Sequence, residues 1–170
     1  MRTQLNATRT VLVLLMLLVS PLAMAQEPPK PLHLSFQTVG GAPPDVQVLA
    51  DGTIVFKAFP VEGVSGDLSG TLNEQLTQVF KASDEDGVLP ITTIWELVTS
   101  AGTIKGYYSG TFVHLQDGTL RIVQVGEVLS VTAAYAQLFQ ARVVYEASLS
   151  ASHTFAEGRI TILPRSKHMP

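Results

Sequence analysis

Residues 102–119 read Gly-Thr-Ile-Lys-Gly-Tyr-Tyr-Ser-Gly-Thr-Phe-Val-His-Leu-Gln-Asp-Gly-Thr, and this stretch decides the fold class. Ile104, Gly106, Tyr108, Gly110, Phe112 and His114 share one phase of a two-residue alternation, the period of a strand with one buried face. Asp117-Gly118 interrupts it, and apolar alternation resumes at Leu120-Arg121-Ile122. Tight hairpin turns need positive φ, which Gly adopts without a Cβ penalty. An Asp-Gly pair between two alternating runs therefore predicts an antiparallel hairpin.

Outward from this hairpin the pattern repeats. Residues 91–99 predict another strand, and Ala101-Gly102 the turn that joins it to the strand starting at Ile104. Val46 and Val48 lead into Asp51-Gly52, and Ile54, Phe56 and Ala58 leave it, which predicts a second hairpin. Leu32, Leu34 and Phe36 share a phase against His33, Ser35 and Gln37, and the loop Gly40-Gly41-Ala42-Pro43-Pro44 ends that run. Downstream, Val143, Tyr145, Ala147 and Leu149 alternate, as do Ile160 and Ile162. One segment departs from the rhythm. Ser130 to Gln140 is rich in helix formers and spaces Val131, Tyr135 and Leu138 helically, so one short helix is predicted near residues 131–140. Roughly eight strands with little helix indicate an all-β chain, an antiparallel barrel or a sandwich. Asp84-Glu85-Asp86-Gly87 reads as a solvated acidic turn, lacking the ligand spacing and distal Glu of a calcium loop.

At the N-terminus Arg2 and Arg9 bracket the approach to the apolar run Val11–Val19, followed by Pro21 and Ala23-Met24-Ala25, the order of a cleaved secretory signal. The run is too short for a bilayer span, which takes about 20 apolar residues. The expected organisation is a signal peptide at 1–25, a flexible leader at 26–31, a single β-barrel domain at 32–163 and a C-terminal tail at 164–170. The mature chain is expected to be secreted or periplasmic, with no membrane span and, lacking cysteine, no lipid anchor. Removing 25 of 170 residues leaves 145, enough for one domain around one core. With Arg2 and Arg9 gone, nine Lys and Arg face 14 Asp and Glu, a net charge of −5 that discourages nucleic acid. The complete absence of cysteine removes disulfides, thiol nucleophiles, thiolate zinc sites and iron–sulfur clusters.

Gly66-Asp67-Leu68-Ser69-Gly70-Thr71 and Gly106-Tyr107-Tyr108-Ser109-Gly110-Thr111 both read G-x-x-S-G-T, 40 positions apart. Glycines inside strands mark bulges or bends, so the echo predicts two equivalent strands bent at the same place. Neither copy has the context of a phosphate loop. These glycine-punctuated strands, the stretch from Gly102 to Thr119, and the run from Ala134 to Glu146 (A-Y-A-Q-L-F-Q-A-R-V-V-Y-E) resemble the second half of the allene oxide cyclase barrel group. That group takes in plant allene oxide cyclases, dirigent proteins and many exported bacterial proteins of unknown function. The resemblance covers residues 64–163 and implies an eight-stranded antiparallel barrel with an apolar interior, often oligomeric. It carries over no activity and no site residue, because no motif of the plant cyclases' catalytic groups matches here. Lipocalins are the rival barrel, but their G-x-W signature near the first strand is missing; Trp95 sits mid-chain after Thr93-Ile94.

Function inside a barrel shows as polar side chains in the inward phase of apolar strands. Leu68, Gly70, Leu72, Glu74, Leu76, Gln78 and Phe80 place Glu74 and Gln78 in such a phase, and the 104–114 run places Tyr108 and His114 there. The echo aligns Glu74 with His114, each four residues past the second glycine. A carboxylate beside an imidazole raises its pKa, and the two together make a general acid–base pair, so Glu74 and His114 are the candidate catalytic residues. The competing reading puts both at a barrel rim in water. Phe56, Leu72, Gln78, Trp95, Tyr108 and Phe112 are the candidate ligand-lining residues. His33, His153 and His168 lie off the apolar phase or in loop and tail, so no metal site is expected, and no cofactor site is written. Glu96 and Glu146 oppose the phases of Trp95 and Tyr145 and are expected in solvent. No G-x-S-x-G elbow or H-E-x-x-H motif appears. Three functions are carried forward. The first is a noncatalytic exported barrel that binds a small apolar ligand or a protein partner. The others are a cofactorless isomerase or cyclase, and a structural surface protein working as a homo-oligomer.

Overall fold

A computed structural model describes residues 29–39, 45–51, 53–59, 61–76, 79–81, 88–152 and 154–165. The expected signal peptide, residues 26–28 of the leader, the loop at 40–44, Gly52, Gln78, the acidic turn at 84–87, His153 and His168 lie outside the described residues.

The alternating runs form strands where they are expected. β7 (Val88–Thr99), β8 (Gly102–His114), β9 (Leu120–Val131), β10 (Arg142–Leu149) and β11 (Ala156–Leu163) make an antiparallel meander, each paired with the next. β11 pairs with β1 (Leu32–Thr38), β1 with β4 (Glu62–Gly66), β4 with β5 (Gly70–Leu76), and β5 with β7. The result is a closed eight-stranded antiparallel barrel, which leaves no open sheet edge in the wall.

The chain leaves this wall twice. Between β1 and β4 it forms the hairpin β2 (Asp45–Val48) and β3 (Thr53–Ala58), and between β5 and β7 the short β6 (Val79–Lys81). These three strands pair as a separate sheet in the order β2-β3-β6. The hairpin expected around Asp51-Gly52 is therefore present, but it stands outside the barrel wall. Both excursions depart from one barrel end, where β1 runs out at Thr38 opposite Glu62 and β5 at Leu76 opposite Thr93. There the Phe59 N–H donates to the Glu74 carbonyl at 3.2 Å, and Phe59 packs against the core.

The opposite end is closed by a 3-10 helix, Ala133–Leu138, whose Tyr135 and Leu138 are buried. The Tyr135 hydroxyl lies 2.6 Å from Thr99 Oγ1 at the tip of β7. Behind this plug, Leu34, Leu72, Leu97, Ile104, Val143 and Ile162 are almost fully buried. Burying a Leu or Ile stabilises by roughly 1.5–3 kcal/mol, so such a core replaces the disulfides this chain cannot form. Among the described residues no helix is long and apolar enough to cross a membrane.

Turn chemistry follows the sequence at Asp117-Gly118. Gly118 has φ +83°, and Asp117 Oδ1 accepts from the Thr119 hydroxyl at 2.6 Å and N–H at 2.9 Å. Those bonds hold the Asp117 carboxyl below its usual range. The G-x-x-S-G-T echo is corrected. Its first copy is a hairpin turn, with Gly66 at φ +123° ending β4 and Gly70 opening β5, whereas the second lies wholly inside β8. A bulge does fall at the second copy, where the register against β9 shifts between Lys105 and Gly106. Space explains Gly106 further, since a Cβ there would come within 2.5 Å of the Trp95 ring. Gly158 likewise makes room for Phe36, whose Cζ would lie 2.7 Å from an added Cβ.

Candidate functional site

Two-residue alternation turns Leu72 and Glu74 inward from β5, and Glu62 and Val64 inward from the adjacent β4. Glu74 is 6% exposed and Glu62 2%. Two carboxyls from neighbouring strands thus enter one interior, close to the end from which the chain makes its excursions.

Loss of water disfavours the charged form of a carboxyl. Burial pushes Glu62 up to about 10, and the nearby charge of Glu74 adds to the effect. Burial pushes Glu74 up to about 8, partly offset by the Tyr145 hydroxyl, which donates to Glu74 Oε2 at 3.5 Å. The Tyr145 phenol is raised well above its usual value, by burial first and then by both carboxyls. At neutral pH both carboxyls accordingly hold their protons.

Around them stands a column of rings from four strands. Phe36 of β1 stacks on Tyr145 of β10 with centroids 4.9 Å apart, Tyr145 on Tyr108 of β8 at 4.6 Å, and Tyr108 on Trp95 of β7 at 5.9 Å. Trp95 is the register partner of Glu74, which brings the column back to the carboxyls. Four buried polar atoms here have no hydrogen-bond partner among the described residues: Glu62 Oε2, Glu74 Oε1, Trp95 Nε1 and the Tyr108 hydroxyl. An unsatisfied buried group costs about 1–3 kcal/mol and native interiors hold few of them. Four in one interior amount to a sizeable part of the 5–15 kcal/mol by which domains are stable. Gln124 is different. Its Nε2 donates at 3.3 Å to Thr93 Oγ1 and at 3.4 Å to the Ile91 and Tyr108 carbonyls, so it ties β9 to β7 and β8.

Leu72, Trp95, Tyr108 and Phe112 lie in the interior, as their phases predict, and so does Glu74. His114 is not beside Glu74. Gly106 shares the row of Glu74 and Trp95, and His114 sits eight residues further along β8, exposed at the strand's last position. Its ring rests edge-on against Phe112, with centroids 5.8 Å apart. The inward phase reaches His114 only at the last residue of β8, at the rim of the wall, and the echo that paired it with Glu74 equated a turn with a strand. Phe56 belongs to β3, outside the barrel wall, and Gln78 lies outside the described residues. Glu96 forms an ion pair with Lys105 at 2.9 Å on the outer surface, and Glu146 is exposed.

Sequence reasoning missed Glu62 and Gln124 and gave Tyr145 no special role. Gln124 is visible by the same test that finds Glu74, since it continues the phase of Leu120 and Ile122. Glu62 opens a five-residue strand that offers only Val64 as an apolar inward neighbour, too little alternation to read. Chemically, a neutral carboxylic acid both donates and accepts, whereas the indole only donates. Among the described residues no group of three or more His, Asp or Glu is placed to hold a metal ion. Comparison of the chain with protein-family models, with curated proteins and with solved structures finds no match.

Proposed function

We propose that this protein is an exported barrel that holds a small, largely apolar molecule in its interior without transforming it. One observation carries the reading, namely that four unpartnered polar atoms sit in an interior lined mainly by stacked rings and aliphatic side chains. Ligand sites combine apolar and aromatic area with a few polar groups that fix orientation. Export rests on the signal-like segment at 1–25. The test is a native mass spectrum of protein purified from an exporting host. A retained small molecule that is recovered chemically unchanged supports the reading, and protein that never retains one speaks against it.

A second reading, a cofactorless isomerase or cyclase, is favoured by the Glu62–Glu74 juxtaposition. Two acids with different proton affinities allow one to give a proton while the other takes one. In that case Glu74→Gln abolishes turnover, and the molecule recovered from wild-type protein is a product. A third, oligomeric and structural, draws on Ile94, Val123 and Val125, which lie exposed on the outer wall. The same spectrum reads the oligomeric state directly.

A further inference from the structure

We infer that the molecule held in the barrel presents an uncharged carbonyl oxygen to Glu62, Glu74, Trp95 and Tyr108, with its apolar part against the ring column. This rests on the interior-binding reading above and adds the chemical class of the ligand.

The argument is one of donors and acceptors. The Trp95 indole N–H can only donate. The Tyr108 hydroxyl is unpartnered and fully buried, so it has a hydrogen to offer at no cost to another bond. Glu62 and Glu74 enter the interior from adjacent strands, among the described residues neither forms an ion pair, and each brings a carboxyl hydrogen as long as it stays neutral. Four groups able to donate are therefore buried in one barrel interior without partners, and a ligand within their reach satisfies them by accepting. A carbonyl oxygen accepts two hydrogen bonds, so a ketone satisfies two of the four and an ester or diketone more. An ammonium group brings only donors and leaves the indole unmatched. A carboxylate brings a charge into a dry interior beside two acidic groups, where desolvation opposes it. Of these three the neutral carbonyl alone matches the donors without bringing a charge or further donors.

The experiment uses the mature protein and four probes of similar size: acetophenone, ethylbenzene, phenethylamine and benzoate. Calorimetry is expected to give acetophenone an affinity about tenfold above ethylbenzene, the worth of one or two net hydrogen bonds, and above both charged probes. The carbonyl stretch of bound acetophenone is expected below its frequency in an apolar solvent. Tyr108→Phe, which keeps the ring and its stacking, is expected to move that band part of the way back up. Equal binding of acetophenone and ethylbenzene, or an unshifted carbonyl band, overturns the assignment of the ligand class while leaving interior binding in place. Preference for the amine or the carboxylate overturns it too. Failure of all four probes to bind removes the interior-binding reading itself.

Discussion

Replacing Glu74 by Gln removes a proton that the fold retains and the unfolded chain releases. Glu74 ionises from 4.5 when exposed and from about 8 inside the barrel. Because the folded value is the higher one, the unfolded state binds fewer protons between these limits, and stability falls as pH rises. The contribution is fully present below about pH 4.5 and is lost progressively until about pH 8, where it levels off. One pKa unit corresponds to about 1.4 kcal/mol, so the loss between about pH 4.5 and about pH 7 is roughly 3 kcal/mol. That is a large fraction of an ordinary domain's stability. Gln keeps the size and polarity of the side chain but does not titrate in this range. Glu74→Gln is therefore expected to match the wild type near about pH 4.5 and to exceed it by roughly 3 kcal/mol near about pH 7. Urea unfolding at a series of pH values, followed through the fluorescence of Trp95, the single tryptophan, gives both numbers. Glu62 stays in the single variant and keeps part of the pH dependence, and Glu62→Gln added to it flattens the curve further. Parallel curves for wild type and Glu74→Gln across the window would refute the reasoning.

Gly106→Ala is expected to cost roughly 1–3 kcal/mol in urea unfolding, because the new Cβ meets the Glu127 carbonyl at 2.4 Å and the Trp95 ring at 2.5 Å, neither of which can swing away cheaply. Tyr145→Phe removes the hydroxyl that lowers the Glu74 pKa, so Glu74 is expected to titrate still higher in an NMR titration, and a downward move contradicts the assigned bond. His114→Ala is expected to change stability by less than about 0.5 kcal/mol and to leave ligand retention untouched, since the side chain is exposed at the strand end. A large loss of either would return His114 to the site.

Most of the wall is legible in the sequence because alternation is a local signal. Leu34 and Phe36, Ile104 to Phe112, and Val143 to Leu149 bury as their phases predict, and a short helix forms at Ala133–Leu138, tightened to a 3-10 turn. What alternation cannot supply is which strands pair at long range. The hairpin at 45–58 obeys every local rule of a barrel strand pair yet pairs with β6 instead. The same blindness affects the site. Glu74 stands out by its phase, but its neighbours Glu62, Trp95 and Tyr145 come from β4, β7 and β10; strand pairing places β4 and β7 beside β5, and the curl of the barrel brings Tyr145 across the interior. His114 fails for the converse reason, since phase names a face of the strand but not its position along the barrel axis.

The most direct test of the account is a pH titration of the side-chain carboxyl carbons by NMR in the mature wild-type protein, with Glu62→Gln and Glu74→Gln to assign them. Two glutamates are expected to remain protonated at neutral pH and to titrate as a coupled pair well above the usual carboxylate range, one resonance vanishing in each variant. If every glutamate of the folded protein titrates near 4.5, the interior does not hold two buried neutral acids, and both the ligand site and the donor set built on it fall.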